Sequence, residues 1–213
     1  MSMKGIIFDL DGVIVFTDRF HYLAWKAIAD EMNIPFDETV NNRLRGVSRM
    51  ESLEIILEKY TGSPLSSEDK QELAERKNNL YREYLHTMTP ADVSDEVRQT
   101  LAQLRERGYR LSVGSSSKNA GFILDRVQLR DAFDAVSDGN NIQKSKPDPE
   151  VFLKAAEYLS LPEAQCAVVE DARAGIDAAK AGGMLAVAIG DAVSYDRADL
   201  KLERFSDLLR YFA

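Results

Sequence analysis

The segment Gly5-Ile6-Ile7-Phe8-Asp9-Leu10-Asp11-Gly12 decides how the rest of the chain is read. Its first four residues form a continuous apolar run without polar alternation, the pattern of a strand buried on both faces of a parallel sheet. The run stops at a carboxylate. Runs of the same kind recur at Arg110 to Val113, Cys166 to Val169 and Leu185 to Ile189. Helical spacings separate them, first Val97, Leu101 and Leu104, then Phe152, Ala155, Ala156 and Leu159. Strands alternating with helices predict an α/β fold with a doubly wound parallel sheet.

The stretch that follows the first run breaks this alternation, because it carries only helical periodicity. Phe20, Leu23, Ala24, Ala27 and Ile28 form one apolar face, and Leu53, Ile56, Leu57 and Tyr60 another. Ser48 and Glu51 have capping-box spacing at the head of the second of these helices. Thr61-Gly62-Ser63-Pro64 ends it, and Leu73, Leu80 and Tyr84 mark a third. Residues 17–87 are therefore expected to be an inserted helical domain, with residues 1–16 and 88–213 as the α/β core.

The 213 residues carry 27 Lys and Arg against 35 Asp and Glu, a net charge of −8. That sign disfavours general nucleic-acid or anionic-membrane binding, and an anionic substrate would need local cations or a metal to overcome it. A composition 45% apolar and 29% charged is that of a folded globular chain. The single Cys166 sits in an apolar run and cannot form an internal disulfide, which fits a buried thiol in a reducing compartment. No apolar run approaches the ~20 residues of a membrane-spanning helix, and no charged-then-apolar signal segment is seen. A cytoplasmic location is expected.

Asp9 and Asp11 stand two apart, so an extended backbone would point both carboxylates the same way, at the strand end where α/β sheets bind ligands. A bare Asp-X-Asp-Gly is more often a surface turn; its place after a buried strand favours the site reading. Glu170-Asp171 follows another buried run. Carboxylates gathered at one sheet edge repel unless a hard cation neutralises them, which points to Mg²⁺. Alone, this pair would read as the start of the Ala-rich helix 172–181. Gly114-Ser115-Ser116-Ser117-Lys118-Asn119 precedes a helical pattern and offers hydroxyls, N–H groups and a cation as an anion cradle, although a polar loop with an N-capping Ser accounts for it equally. Lys146, in Lys144-Ser145-Lys146-Pro147-Asp148-Pro149, is a second candidate phosphate contact or an ordinary solvated lysine.

Taken in order, Asp-Leu-Asp-Gly, Ser-Ser-Ser-Lys-Asn, Lys-Pro-Asp-Pro and Glu-Asp resemble the haloacid dehalogenase-like superfamily of phosphotransferases. The resemblance implies a Rossmann-like core with a helical cap inserted after the first motif. It makes Asp9 the nucleophile that becomes an aspartyl phosphate and Asp11 the general acid and base. It assigns the metal to Asp9, the Asp11 main-chain carbonyl, Glu170 and Asp171, and the transferring phosphate to Ser115 and Lys146.

In the insertion, His21-x-x-x-Trp25, Gly46-Val47-Ser48-Arg49 and Arg76-Lys77-Asn78 resemble the cap of the β-phosphoglucomutase family, though each has a bland reading as packing or solvated surface. That resemblance implies interconversion of β-D-glucose 1-phosphate and glucose 6-phosphate by a monomer, through β-glucose 1,6-bisphosphate. Arg49, Ser117, Lys118 and Asn119 would hold the non-transferring phosphate. His21, Trp25, Gly46, Val47, Ser48, Ser52, Lys77 and Ser116 complete the expected substrate contacts. A sugar-phosphate phosphatase and a non-catalytic binding domain are the alternatives. The sequence departs from the family at Phe16, where an Asp is common before the Thr; its ring is expected to bury at the junction of core and cap.

Overall fold

The computed structural model describes residues 2–44 and 47–213, so the expected contact at Gly46 lies outside the described residues. The chain divides into two compact units, residues 1–16 with 88–213 and residues 17–87.

The first unit is built on a six-stranded sheet. Its strands are β1 (Gly5–Phe8), β2 (Arg110–Gly114), β3 (Ala135–Ser137), β4 (Cys166–Glu170), β5 (Leu185–Ala188) and β6 (Leu200–Lys201), in the order β3-β2-β1-β4-β5-β6. All neighbours run parallel. This is the doubly wound, Rossmann-like order, in which the chain switches direction across the sheet between β1 and β4. Ligands bind at such a switch point, beyond the carboxyl ends of the strands. β3 and β6 are additions to the sequence reading. They are three and two residues long and mostly half-buried or exposed, too short for a burial pattern to register.

The helices of this unit are numbered after the four of the insertion: α5 (Asp95–Glu106), α6 (Ala120–Arg126), α7 (Glu150–Tyr158), α8 (Arg173–Ala181) and α9 (Leu208–Tyr211). Ile7, Val168 and Ala186 on the sheet pack with Val151, Phe152 and Ala155 of α7 and Ile176 and Ala179 of α8. Phe8 points the other way, its ring 6.1 Å from Phe133 and 5.7 Å from Phe205. β1 is thus covered on both faces, which is why its sequence shows no alternation. Cys166 is buried in β4; burial first, and then the Glu163 carboxylate, push its thiol up to about 11. It is a core residue, not a nucleophile.

The second unit is helical: α1 (Asp18–Glu31), α2 (Glu38–Asn42), α3 (Arg49–Leu57) and α4 (Ser67–Leu85). Capping boxes at Ser48 with Glu51 and at Ser66 with Asp69 start α3 and α4. Its core joins Trp25, Ile28, Ala29, Phe36, Leu53, Ile56 and Leu73. The buried stripes are rotated from the expected ones. On α1 they comprise Ala24, Trp25, Ile28 and Ala29, and on α4 Leu73, Ala74, Lys77, Tyr81 and Leu85. A lysine inside the α4 stripe hid that face from a reading by hydrophobicity.

Phe16 corrects a further expectation, since it is 76% exposed. Val15 and Thr17 are the buried residues on either side of it. Thr17 is the N-cap of α1 with φ −101° and ψ 4°, so the backbone leaves the extended direction there, and the Phe16 ring between its two buried neighbours faces solvent. Among the described residues, no helix is long and apolar enough to cross a membrane.

Candidate active site

Strand register assembles the acidic group. Phe8 pairs with Val169, and the Asp9 N–H donates to the Val169 carbonyl at 2.9 Å, so Asp9 and Glu170 lie side by side at the ends of β1 and β4. Asp171 follows. One carboxylate oxygen from each of Asp9, Glu170 and Asp171 lies within 4.8 Å of the others. Asp11 is not in that trio. It forms a bridge to Val15, and Gly12 after it has φ +87°, a left-handed conformation open to glycine at little cost. A Cβ at Gly12 would also collide with the Asp171 carboxylate.

Lys146 comes to the trio from the loop between β3 and α7. Its ammonium donates to Glu170 Oε1 at 2.7 Å and to Asp9 Oδ1, and lies 4.6 Å over the Phe152 ring. All three charged groups are buried. Burial opposes the ammonium, but the charges of Asp9 and Glu170 outweigh it and hold Lys146 protonated. Burial pushes Asp9 up to about 7; Lys146 pulls against this, while Glu170 and Asp11 add to it. Burial likewise raises Asp171 to about 8, reinforced by Glu170, Asp9 and Asp11. Protein groups alone leave this corner short of positive charge. An all-oxygen, anionic donor set of this kind fits a hard divalent cation, so Asp9, Glu170 and Asp171 are able to hold a metal.

A pH-dependent stability follows. The folded pKa values of Asp9 and Asp171 lie above the ordinary 3.8, so between about pH 4 and about pH 8 the folded protein binds more protons than the unfolded chain. These groups therefore cost stability as pH rises through that window, and a cation bound to the ionised cluster restores it. Addition of MgCl₂ to chelator-treated protein should raise the melting temperature more near pH 8 than near pH 5. An equal rise at both would place the metal elsewhere.

Gly175 is a site residue that the sequence reading passed over as part of an Ala-rich helix. A Cβ there would collide with the Glu170 carboxylate, whose Oε2 accepts from the Ala172 N–H at 2.7 Å. Its missing side chain lets α8 run directly beneath Glu170. Gly175→Ala should displace that carboxylate and weaken metal affinity about 10–100-fold, as loss of a group that orients a ligand does. Activity titrated against Mg²⁺ measures it; an unchanged half-saturation concentration would show that Glu170 tolerates the shift.

On the other side of β1, Phe8 pairs with Val113, which brings the Gly114–Asn119 loop to the same sheet edge. Buried Ser115 donates its N–H to Ser137 O at 3.0 Å. The loop folds on its own hydroxyls: Ser115 Oγ accepts from Ser117 N–H and Ser117 Oγ from Asn119 N–H, both at 3.2 Å. Ser116 Oγ is buried with no hydrogen-bond partner among the described residues, and Lys118 is exposed. Asn119, not a serine, occupies the N-cap of α6, with no side-chain capping bond.

In the helical unit, Lys77 is buried with its ammonium 2.8 Å from His21 Nδ1, 5.0 Å from the Trp25 ring centre and 4.7 Å from that of Tyr81. Burial, then the charges of Lys77 and Arg49, keep His21 well below its usual range and hence neutral. With the ammonium as donor, Nδ1 accepts and the imidazole proton sits on Nε2. Tyr81, absent from the sequence reading, stacks on His21 at 4.1 Å and shares a 2.9 Å hydrogen bond with Thr17 Oγ1. Arg49 donates to Asn78 Oδ1 at 2.8 Å. Ser48 Oγ is engaged by the Glu51 N–H at 3.2 Å, Ser52 is buried on α3, and Val47 is half-buried.

The sequence pattern of the haloacid dehalogenase-like hydrolase family matches residues 3–183. The chain belongs to that family. Within this haloacid dehalogenase-like group it is 45% identical over 212 residues to a β-phosphoglucomutase of Bacillus subtilis, covering 97% of this chain and 92% of that one. A fructose-1-phosphate phosphatase of Escherichia coli is 32% identical, with 86% and 94% covered. The crystal structure of a β-phosphoglucomutase from Clostridium difficile superposes with a TM-score of 0.91 at 35% identity, covering 98% of this chain and 95% of that one.

Proposed function

We propose that this protein is a β-phosphoglucomutase, converting β-D-glucose 1-phosphate into D-glucose 6-phosphate through β-glucose 1,6-bisphosphate. The chemistry rests on one observation, the buried Lys146 that joins Asp9 to Glu170 beside Asp171. The choice of substrate rests on likeness to the B. subtilis enzyme along nearly the whole chain.

Asp9, the Asp11 main-chain carbonyl, Glu170 and Asp171 would hold Mg²⁺, which when bound would offset the negative charge of the transferring phosphate and keep Asp9 ionised. Phosphorylated Asp9 passes its phosphoryl group to the sugar 6-hydroxyl, whose proton goes to the Asp11 carboxylate. The bisphosphate turns end for end. Asp9 then attacks the phosphorus at C1; the P–O bond to the sugar breaks, and Asp11 returns its proton to the departing oxygen. Ser115 and Lys146 hold the transferring phosphate, while Arg49, Ser117, Lys118 and Asn119 hold the other. His21, Trp25, Gly46, Val47, Ser48, Ser52, Lys77 and Ser116 supply the remaining substrate contacts. The same reading takes the enzyme as a cytoplasmic monomer acting on a small sugar phosphate, without nucleic-acid or membrane partners.

The second reading, a sugar-phosphate phosphatase, draws on the E. coli relative. Two cations beyond those beside Asp9, Arg49 and Lys118, favour an enzyme that must grip two phosphates. Phosphorus NMR of pure enzyme with Mg²⁺, β-glucose 1-phosphate and a trace of bisphosphate separates the two. Glucose 6-phosphate is the expected product; accumulation of inorganic phosphate instead would overturn the mutase reading.

A further inference from the structure

We infer that the Asp138–Asn141 turn is a buttress for the phosphate loop and that Asn140 is a positioning residue for Lys118. The inference rests on the proposal that Lys118 holds the non-transferring phosphate. The β2–β3 pair does not end at its last ladder partners, Gly114 and Ser137. Ser115 donates to Ser137 O at 3.0 Å, and Gly139 donates to Ser117 O at 3.2 Å. Asn140 Nδ2 then donates to Lys118 O at 2.9 Å. The end of β3 thus holds the loop backbone at Ser115, and the turn holds it at Ser117 and Lys118, the last an exposed residue.

The turn is itself braced. Asp138 accepts from Asn140 twice, from its N–H at 2.9 Å and its Nδ2 at 3.2 Å, and Asn141 Oδ1 accepts from the Asp138 N–H and Ser137 Oγ. Gly139 fits because it has no side chain. A Cβ there would collide with the Ser116 carbonyl and stand 3.0 Å from both the Lys118 nitrogen and its Cγ. The Lys118 stem thus runs over Gly139, and its direction is set by the turn beneath it. Lysine is a flexible point charge with no fork to fix its own geometry, so a backbone held on one side limits where that charge travels.

Asn140 is exposed, and Asn140→Ala should leave the melting temperature unchanged. It should lower mutase kcat/KM about five-fold, chiefly through KM, the scale of one ordinary hydrogen bond. Hydrolysis of acetyl phosphate, which has no second phosphate, should be unaffected. In a Lys118→Ala background, Asn140→Ala should add nothing, since its effect passes through Lys118. Gly139→Ala, which presses on backbone, should cost mutase turnover about 10–100-fold. Equal losses on both substrates, a full additive loss on top of Lys118→Ala, or no loss at all would each overturn the inference. Wild-type mutase activity in Lys118→Ala would overturn the phosphate-holding reading of Lys118 and the inference with it. A strong defect in Lys118→Ala beside a silent Asn140→Ala would overturn the inference alone.

Discussion

Asp9→Asn should abolish phosphoryl transfer, with turnover falling on the order of 10⁶-fold, as when a covalent nucleophile is removed from an enzyme whose other groups remain. The amide cannot attack phosphorus and carries no charge to share with a metal or with Lys146. Folding should survive. Burial already pushes this carboxyl up to about 7, so the site accommodates its neutral form, and a neutral amide of the same shape fits the space. Asp11→Asn is the control. Its carboxylate lies outside the buried trio, so it should slow proton transfer by ~10²–10⁴-fold while leaving Asp9 able to accept a phosphoryl group. Mass spectrometry of acid-quenched enzyme after treatment with bisphosphate would then detect phosphorylated protein in Asp11→Asn and none in Asp9→Asn. Phosphoprotein in the Asp9 variant would move the nucleophile to another side chain.

How much of this was legible before the structure depends on which physical signal each residue carries. β1 and β4 were plain because double burial removes polar residues from both faces, leaving runs such as Ile6-Ile7-Phe8 and Ala167-Val168-Val169. The carboxylates were plain for the complementary reason, as charges standing at the ends of those runs. β6 was not, since its two residues form a strand only by pairing with Val187 and Ala188. Gly175 was hidden because nothing in an Ala-rich helix announces that one small residue lies beneath a carboxylate. Tyr81 was hidden by Lys77, which hydropathy places outside and which the rings of Trp25 and Tyr81 accommodate inside. Phe16 was misread for a third reason. Ring size argues for burial, but on this short connection the buried positions are Val15 and Thr17, and the ring between them faces solvent.

Lys146→Ala should damage stability and catalysis together, and the two losses should separate on adding metal. The ammonium is almost fully enclosed and serves two buried carboxylates at once. Removing one partner of a buried ion pair leaves an uncompensated charge and costs about 3–5 kcal/mol. Here Asp9 and Glu170 lose their shared cation, and Asp9, already pushed up to about 7 by burial, takes up a proton more readily still once Lys146 no longer pulls against it. In chelator, urea unfolding of the variant should therefore show a deficit of that order near neutral pH, shrinking as acid protonates the cluster. With excess Mg²⁺ the deficit should also shrink, because a cation bound to the same carboxylates replaces much of the missing positive charge. Turnover should not recover in parallel. On the proposed role of Lys146, a metal on the carboxylates cannot also stand where the ammonium would meet the phosphoryl group, and charge placed at that position lowers the barrier. A stability deficit equal with and without Mg²⁺ would mean that Lys146 answers to something other than the metal-binding carboxylates; restored turnover in excess metal would mean that it serves the fold alone.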